Sequence, residues 1–216
     1  MKNNMLIRMI ILLVIYLGLR FFGGELGYKI LYPINLLVTF LHEFGHALGA
    51  WLTGGGVMEI MINQDGSGYA KTYGGSRAIV LMGGYIGSAL LGNLLFYIGV
   101  RQPRYSGIAL YVLAALMVVV AIFKSASLFT TGFLLLFTLG ISFVASKESI
   151  AREVLMFLGM ASILYIIQDF NVGPSSDLAA YADLFVFIPA TVWMYIWLAV
   201  VVLLTFWNLR MIFKSQ

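Results

Sequence analysis

Long apolar segments limit what this chain can fold into. Segments of about 20 apolar residues, separated by short polar or glycine-rich stretches, occupy most of its 216 residues. In lipid, only helices and closed barrels satisfy their own backbone hydrogen bonds. At 62% hydrophobic and 10% charged residues, the chain is too apolar for a soluble domain. We therefore predict an integral, multi-pass membrane protein, expected in the cell membrane, with a single domain over residues 1–216.

The apolar pattern predicts an all-α polytopic fold with six to seven transmembrane helices. Between the second and third segments, residues 57–76 change in character, because strand-forming residues flank Asp65 and Gly66, a common hairpin turn. We therefore expect a short β-hairpin after the second helix. The predicted helices cover about residues 5–19 (to 22 if the helix is tilted), 30–52, 78–100, 106–123, 126–145, 150–167 and 184–209.

The charge pattern limits the binding partners that we expect, and the cysteine content limits the possible metal ligands. The net charge is +4, but the basic residues are scattered between apolar segments, which is typical of loop charges beside a membrane. Lys124, between two apolar runs, is interpreted in this way. We expect the lipid bilayer as a partner and no nucleic acid. The absence of cysteine excludes disulfides and thiolate metal ligands.

The second apolar segment contains a motif for metal chemistry, His42-Glu43-Phe44-Gly45-His46, which reads H-E-x-x-H. Residues four apart share one face of a helix, so His42 and His46 can bind one Zn2+ ion. Glu43 would then act as the catalytic base that takes a proton from water during attack on a carbonyl. Both histidines of the chain lie in this motif, which makes an accidental match improbable.

A catalytic zinc needs a third protein ligand, which here must be a carboxylate because no other histidine or cysteine exists. Asp169, Asp177 and Asp183 are the only charged residues between Glu153 and Arg210. We favour Asp177, which follows a Gly-Pro turn and could begin a short helix. Two alternatives stay open: Asp183 as the ligand, and Asp177 as a helix cap only.

Two further features suggest substrate contacts. Asn93 lies in the glycine-rich third segment, and its buried amide needs a hydrogen-bond partner, which could be a substrate backbone. In the hairpin, Ile60 and Ile62 lie on the first strand, whose edge could pair with an unwound substrate segment that lacks backbone partners in lipid. We therefore predict Asn93, Ile60 and Ile62 as substrate-binding residues.

Taken together, these residues resemble the site-2 protease family of intramembrane zinc metalloproteases, in particular its small M50B-like branch. The resemblance rests on the H-E-x-G-H-A stretch, the hairpin after it, the glycine-rich third helix and a late Asn171-x-x-Pro174-x-x-Asp177. It implies a zinc ion held by two histidines and the late aspartate, a glutamate base, and a hairpin that receives substrate. Two departures are Ser176-Asp177-Leu178, where the family usually has Leu-Asp-Gly, and Asn93 lying further from Gly87-Ser88 than in the family pattern.

The expected function is an intramembrane zinc metalloendopeptidase that hydrolyses peptide bonds of membrane-embedded protein substrates. One alternative is a catalytically silent metal-binding membrane protein, such as a pseudoprotease or a chaperone-like protein. A zinc transporter is another alternative, although no histidine is left for a transport path. A third is a membrane protease whose third ligand is a glutamate, here Glu148 or Glu153.

Overall fold

The computed structural model describes residues 2–185 and 187–214. Helices account for most of this length, and one two-stranded sheet is inserted after the second helix. The strands are β1 (Gly56–Ile62) and β2 (Gly68–Tyr73). The helices are α1 (Lys2–Leu17), α2 (Gly24–Leu52), α3 (Arg77–Met82), α4 (Ser88–Arg101), α5 (Ser106–Phe123), α6 (Leu128–Ala145), α7 (Glu148–Gln168), α8 (Asp177–Leu184) and α9 (Ala190–Lys214).

Six helical segments of the described chain are long and apolar enough to cross a membrane. One of them joins α3 and α4 through a π-helical turn at Gly83–Gly87. These segments and the hairpin confirm the predicted all-α polytopic fold. The six are Met5–Phe22, Arg77–Arg101, Pro103–Phe123, Leu128–Ala145, Glu148–Gln168 and Ala190–Lys214.

Helix α2 lies at the centre of the bundle and carries the H-E-x-x-H motif. Its residues Leu36, Leu37 and Phe40 are almost completely buried, and they belong to the largest hydrophobic cluster. The helix begins at Gly24, whose φ of +54° is a left-handed conformation that glycine adopts without strain. This conformation changes the direction of the chain between the first span and α2. The helix therefore begins before its apolar stretch and contains Pro33 within it.

The hairpin forms around the predicted turn. Strands β1 and β2 pair antiparallel, from Gly56 opposite Tyr73 to Ile62 opposite Gly68. In the turn, Ser67 donates its backbone N–H to the Asp65 carboxylate at 2.9 Å. This Asx-type bond stabilises the tight reversal, in agreement with the sequence-based prediction.

The outer edge of β1 is already paired. The Ile60 N–H donates to the Lys124 carbonyl at 2.6 Å, and the Ala126 N–H donates to the Ile60 carbonyl at 3.0 Å. The Ile62 N–H donates to Thr130 Oγ1 at 2.9 Å. Lys124 is thus more than a loop charge, since its ammonium group also donates to the Val57 carbonyl at 2.8 Å. The α5–α6 connection therefore fixes β1 against the bundle.

Candidate active site

A cleft of about 790 Å³ opens between α2, β2, the start of the third span and the segment that joins α7 to α8. The motif side chains of α2 form one wall, and the backbone of β2 forms another. Acidic, basic and histidine side chains contribute much of the lining, namely His42, Glu43, His46, Asp65, Arg77, Asp169 and Asp177. The cleft therefore brings polar and charged side chains together in a chain that is otherwise largely apolar.

Three side chains converge in this cleft. Asp177 Oδ2 lies 2.9 Å from His42 Nε2 and 3.2 Å from His46 Nε2. The three ligand atoms all lie within 4.8 Å of one another, and this is the metal-ligand group found among the described residues. Asp169 lines the cleft without joining the group, while Asp183 is exposed and does not line it. Of the three candidate aspartates, the structure brings Asp177 to the histidines.

The start of α8 explains why the Asp177 carboxylate faces the histidines. Ser176 caps this helix, because its hydroxyl accepts the Ala179 N–H at 3.1 Å. Asp177 is therefore the first helical residue and its carboxylate is not used as the cap. Partial burial favours a raised pKa for Asp177, but hydrogen bonds from His42 and His46 outweigh it and hold this pKa below its usual range.

The two imidazoles are oriented in different ways. His46 donates its Nδ1–H to the Val80 carbonyl at 2.7 Å, which directs its other ring nitrogen, Nε2, towards Asp177 as the ligand atom. His42 Nδ1 is buried and has no hydrogen-bond partner among the described residues. Its ring instead packs at right angles against the ring of Tyr85, with centroids 4.7 Å apart. A hydrogen bond to a backbone carbonyl thus orients the His46 ring, whereas the His42 ring is held by its Nε2 contact with Asp177 and by packing on Tyr85.

Gly84 leaves the space in which a metal ion would be bound. A Cβ atom on Gly84 would lie 2.5 Å from His42 Nε2 and 2.6 Å from His46 Nε2. Beside it, Gly83 packs against the backbone of Gly45 so closely that neither residue could carry a side chain. The donor set of two imidazole nitrogens and one carboxylate oxygen is the kind that zinc takes in catalytic sites. The residues present therefore fit a zinc ion.

Glu43 lies between the histidines and the hairpin. It is only 5% exposed, it lines the cleft, and its carboxylate accepts a hydrogen bond from the Ala70 backbone. Gly68 also packs closely on Glu43, because a Cβ atom there would lie 2.9 Å from Glu43 Oε1. Strand β2 therefore holds the Glu43 carboxylate in the cleft.

The predicted substrate-binding residues do not line the cleft. Asn93 is buried between α4 and α9, where its side-chain N–H2 donates to the Ala89 carbonyl and to Thr205, and its Oδ1 accepts from Asn208 at 2.8 Å. The amide therefore finds its partners within the bundle. Ile60 and Ile62 are fully buried, and their N–H groups bind the α5–α6 region instead of facing the open edge of the hairpin.

The glutamates proposed as alternative ligands also lie elsewhere. Glu153 forms an ion pair with Arg8, and Glu148 is exposed at the start of α7. The contributions of Gly84, Tyr85 and Val80 were not anticipated. The spacing of Gly83 and Gly87 in the glycine-rich third segment is typical of close helix packing, but nothing in the sequence related Tyr85 or the Val80 carbonyl to the histidines.

Comparison with known proteins agrees with this geometry. A family model described as Peptidase M50B-like matches residues 6–208, which is nearly the whole chain. The chain therefore belongs to the Peptidase M50B-like family, within the site-2 protease family, and is an integral membrane protein. No curated protein and no solved structure matches the chain.

Proposed function

We propose that this protein is an intramembrane zinc metalloprotease that hydrolyses peptide bonds of membrane-embedded protein substrates. One observation carries the proposal: the ligand atoms of His42, His46 and Asp177 converge beside the Glu43 carboxylate in a cleft of a multi-pass bundle. Membership of a peptidase family supports peptide-bond hydrolysis as the reaction at this cluster.

In this proposal His42, His46 and Asp177 hold the zinc ion. When bound, zinc lowers the pKa of water at its open position and polarises the carbonyl of the bond to be cleaved. The Val80 carbonyl keeps the His46 proton on Nδ1, so that Nε2 stays available as a ligand. Asp177 supplies a negative charge that offsets part of the charge of the ion.

Glu43 is the proposed general base. A carboxylate oxygen of Glu43 takes the proton from water as the water oxygen attacks the peptide carbonyl, and then passes it to the nitrogen of the departing amine. The carbon–nitrogen bond breaks, which leaves a carboxylic acid and an amine. The hydrogen bond from Ala70 and the packing on Gly68 keep the carboxylate in place for both transfers.

The substrate is proposed to bind along the outer edge of β2. A transmembrane segment must unwind before its peptide bonds are accessible, and each backbone group left unsatisfied in lipid costs several kcal/mol. Strand β1 is paired on both edges, whereas β2 lines the cleft and its outer edge pairs with no further strand in the described chain. An extended segment added to this edge would lie beside Glu43. Ile60 and Ile62 support the hairpin from behind.

The test uses the purified full-length protein in vesicles with a transmembrane reporter. We expect about one zinc per chain by metal analysis, cleavage within the membrane-spanning part of the reporter, loss of cleavage on treatment with a chelator, and recovery on adding zinc. Zinc binding without cleavage of any transmembrane reporter would favour the catalytically silent alternative. Cleavage that persists after zinc has been removed would reject the proposed mechanism.

A further inference from the structure

The orientation of His42 requires an explanation that the metal-binding motif does not supply. A zinc-ligating histidine normally donates its second ring N–H to an acceptor, which fixes the ring plane. His46 has such an acceptor in the Val80 carbonyl, but His42 Nδ1 is buried without one among the described residues. A rotation of the His42 ring would carry Nε2 away from Asp177. Nε2 does contact Asp177, but it is the atom that would bind the metal, so another contact is needed to hold the ring plane.

Tyr85 makes that contact. It is 4% exposed and lies in the π-helical turn Gly83–Gly87, directly after the glycine that leaves room for the metal. The rings of Tyr85 and His42 pack edge to face, with an interplanar angle of 90°. Irregular turns of this kind often occur at functional sites, because they change the direction of the following side chain.

Tyr85 also holds the segment that leads to Asp177. Its ring stacks on Phe170, with centroids 4.5 Å apart and planes 12° from parallel. Its hydroxyl donates to the Asp169 carbonyl and accepts from the Asn171 N–H, each at 3.3 Å. One side chain therefore contacts a ligand on α2 and the backbone of the segment, at Asp169 and Asn171, that leads to the ligand on α8.

We propose that Tyr85 is a positioning residue that sets the relative arrangement of His42 and Asp177 before the metal binds. The inference rests on the proposed function only in taking zinc as the ion. Metal affinity depends on how much ligand motion must be lost on binding, and changes to groups that orient ligands typically cost about 10- to 100-fold in affinity. Tyr85 contacts one ligand and the segment that leads to a second, so its loss should lower the affinity for zinc.

Four variants of the full-length protein test this role. Tyr85→Leu removes the ring, while Tyr85→Phe keeps the ring and removes only the hydroxyl. Phe170→Leu removes the stacking partner without touching His42. Tyr16→Leu is the matched control, because Tyr16 is 1% exposed and packs on Phe157 but does not line the cleft.

Two measurements are made on each purified variant. Zinc affinity is measured by competition with a chromogenic chelator, and the visible spectrum of the Co2+-loaded protein reports ligand geometry. We expect Tyr85→Leu to weaken zinc binding by about 10- to 100-fold and to change the cobalt spectrum. Tyr85→Phe is expected to stay within about threefold of the parent, since the ring contacts remain, and Phe170→Leu to fall between the two.

The outcomes separate this inference from the proposed function. Parental zinc affinity and an unchanged cobalt spectrum in Tyr85→Leu would overturn the inference and leave the protease proposal intact. An equal loss in Tyr16→Leu would overturn it as well, since general destabilisation would then explain the effect. If Tyr85→Leu does not fold, parental affinity in Phe170→Leu would likewise overturn the inference. A parent protein that binds no zinc would reject the proposed function itself.

Discussion

Two facing walls of the cleft, one formed by α2 and one by the segment that leads into α8, are built differently. The α2 wall is held by backbone contacts: Gly45 packs on Gly83, and a Cβ atom on Gly49 would lie 2.8 Å from the Ile79 carbonyl oxygen. The opposite wall is the irregular stretch 169–176 followed by α8, which has only eight residues. The first wall supplies two ligands and the base, and the second supplies one ligand. Changes in the first wall should therefore cause the largest loss of zinc binding, and changes in the second should cause a smaller loss.

The largest effect is expected from Gly84→Ala, in the π-helical turn Gly83–Gly87 that packs against α2. The added methyl group would lie 2.5 to 2.6 Å from both histidine Nε2 atoms and fill the metal site. Zinc affinity should fall by about 100-fold or more, although both histidines remain. Metal analysis and chelator competition measure this loss. Gly132→Ala is the control, since nothing lies within 4 Å of a Cβ atom there. Parental zinc binding in Gly84→Ala would show that the ion binds elsewhere.

A change in the opposite wall, Asp177→Asn, should weaken zinc binding without abolishing it. Asparagine has nearly the same shape but lacks the negative charge that a zinc ligand supplies. We expect a loss of about 10- to 100-fold, with both histidines still bound. Asp183→Asn is the control, because Asp183 is exposed outside the cleft. If Asp183→Asn loses zinc and Asp177→Asn does not, the third ligand has been assigned to the wrong residue.

A third prediction concerns the edge of β2. In a strand, the backbone N–H and C=O groups of alternate residues point to the same edge. The Ala70 N–H faces Glu43 at the outer edge of β2, so the Thr72 N–H lies on that edge as well. Thr72→Pro removes a donor from that edge and none from the pairing with β1. Losing one hydrogen bond of about 1 kcal/mol should lower kcat/KM for a transmembrane substrate roughly fivefold. Zinc content should not change.

Thr72→Val is the matched control for this edge, because it keeps the backbone N–H and nearly the same side-chain shape. It should cleave at the parental rate. Full activity in Thr72→Pro would place the substrate elsewhere in the cleft.

The smallest effect is expected from Asn208→Leu, outside both walls. Asn208 donates to the backbone carbonyl and to the side-chain oxygen of Asn93, and so joins α9 to α4. Hydrogen bonds between membrane helices are worth on average about 0.6 kcal/mol, so thermal stability should fall slightly. Zinc affinity should stay at the parental value. A large loss of activity with unchanged stability would indicate that Asn93 contributes to substrate binding.

The sequence was sufficient to predict the features that depend on local pattern. Apolar segment length predicted the membrane spans, and the Asp65-Gly66 turn predicted the hairpin. The spacing of His42 and His46 predicted a shared helix face, and the Gly-Pro turn pointed to Asp177. Each of these follows from residues close together in the chain.

The remaining features depend on residues far apart in the chain. Which edge of the hairpin is open depends on hydrogen bonds from Ile60 to the α5–α6 connection, and a hairpin pattern contains no information about them. Asn93 finds its partner Asn208 115 residues away, so its burial could not be separated from a substrate role. The Tyr85 contacts likewise depend on how the turn Gly83–Gly87 packs against α2 and against the segment that follows α7.

The most direct test of the central claim is the cleavage rate of Glu43→Gln measured beside its zinc content. Glutamine keeps the shape of the side chain and its place against β2, but it cannot accept a proton from water. We predict zinc binding at the parental level and cleavage of a transmembrane substrate reduced by at least about 10²- to 10⁴-fold. Cleavage close to the parental rate in a zinc-loaded Glu43→Gln protein would contradict the account.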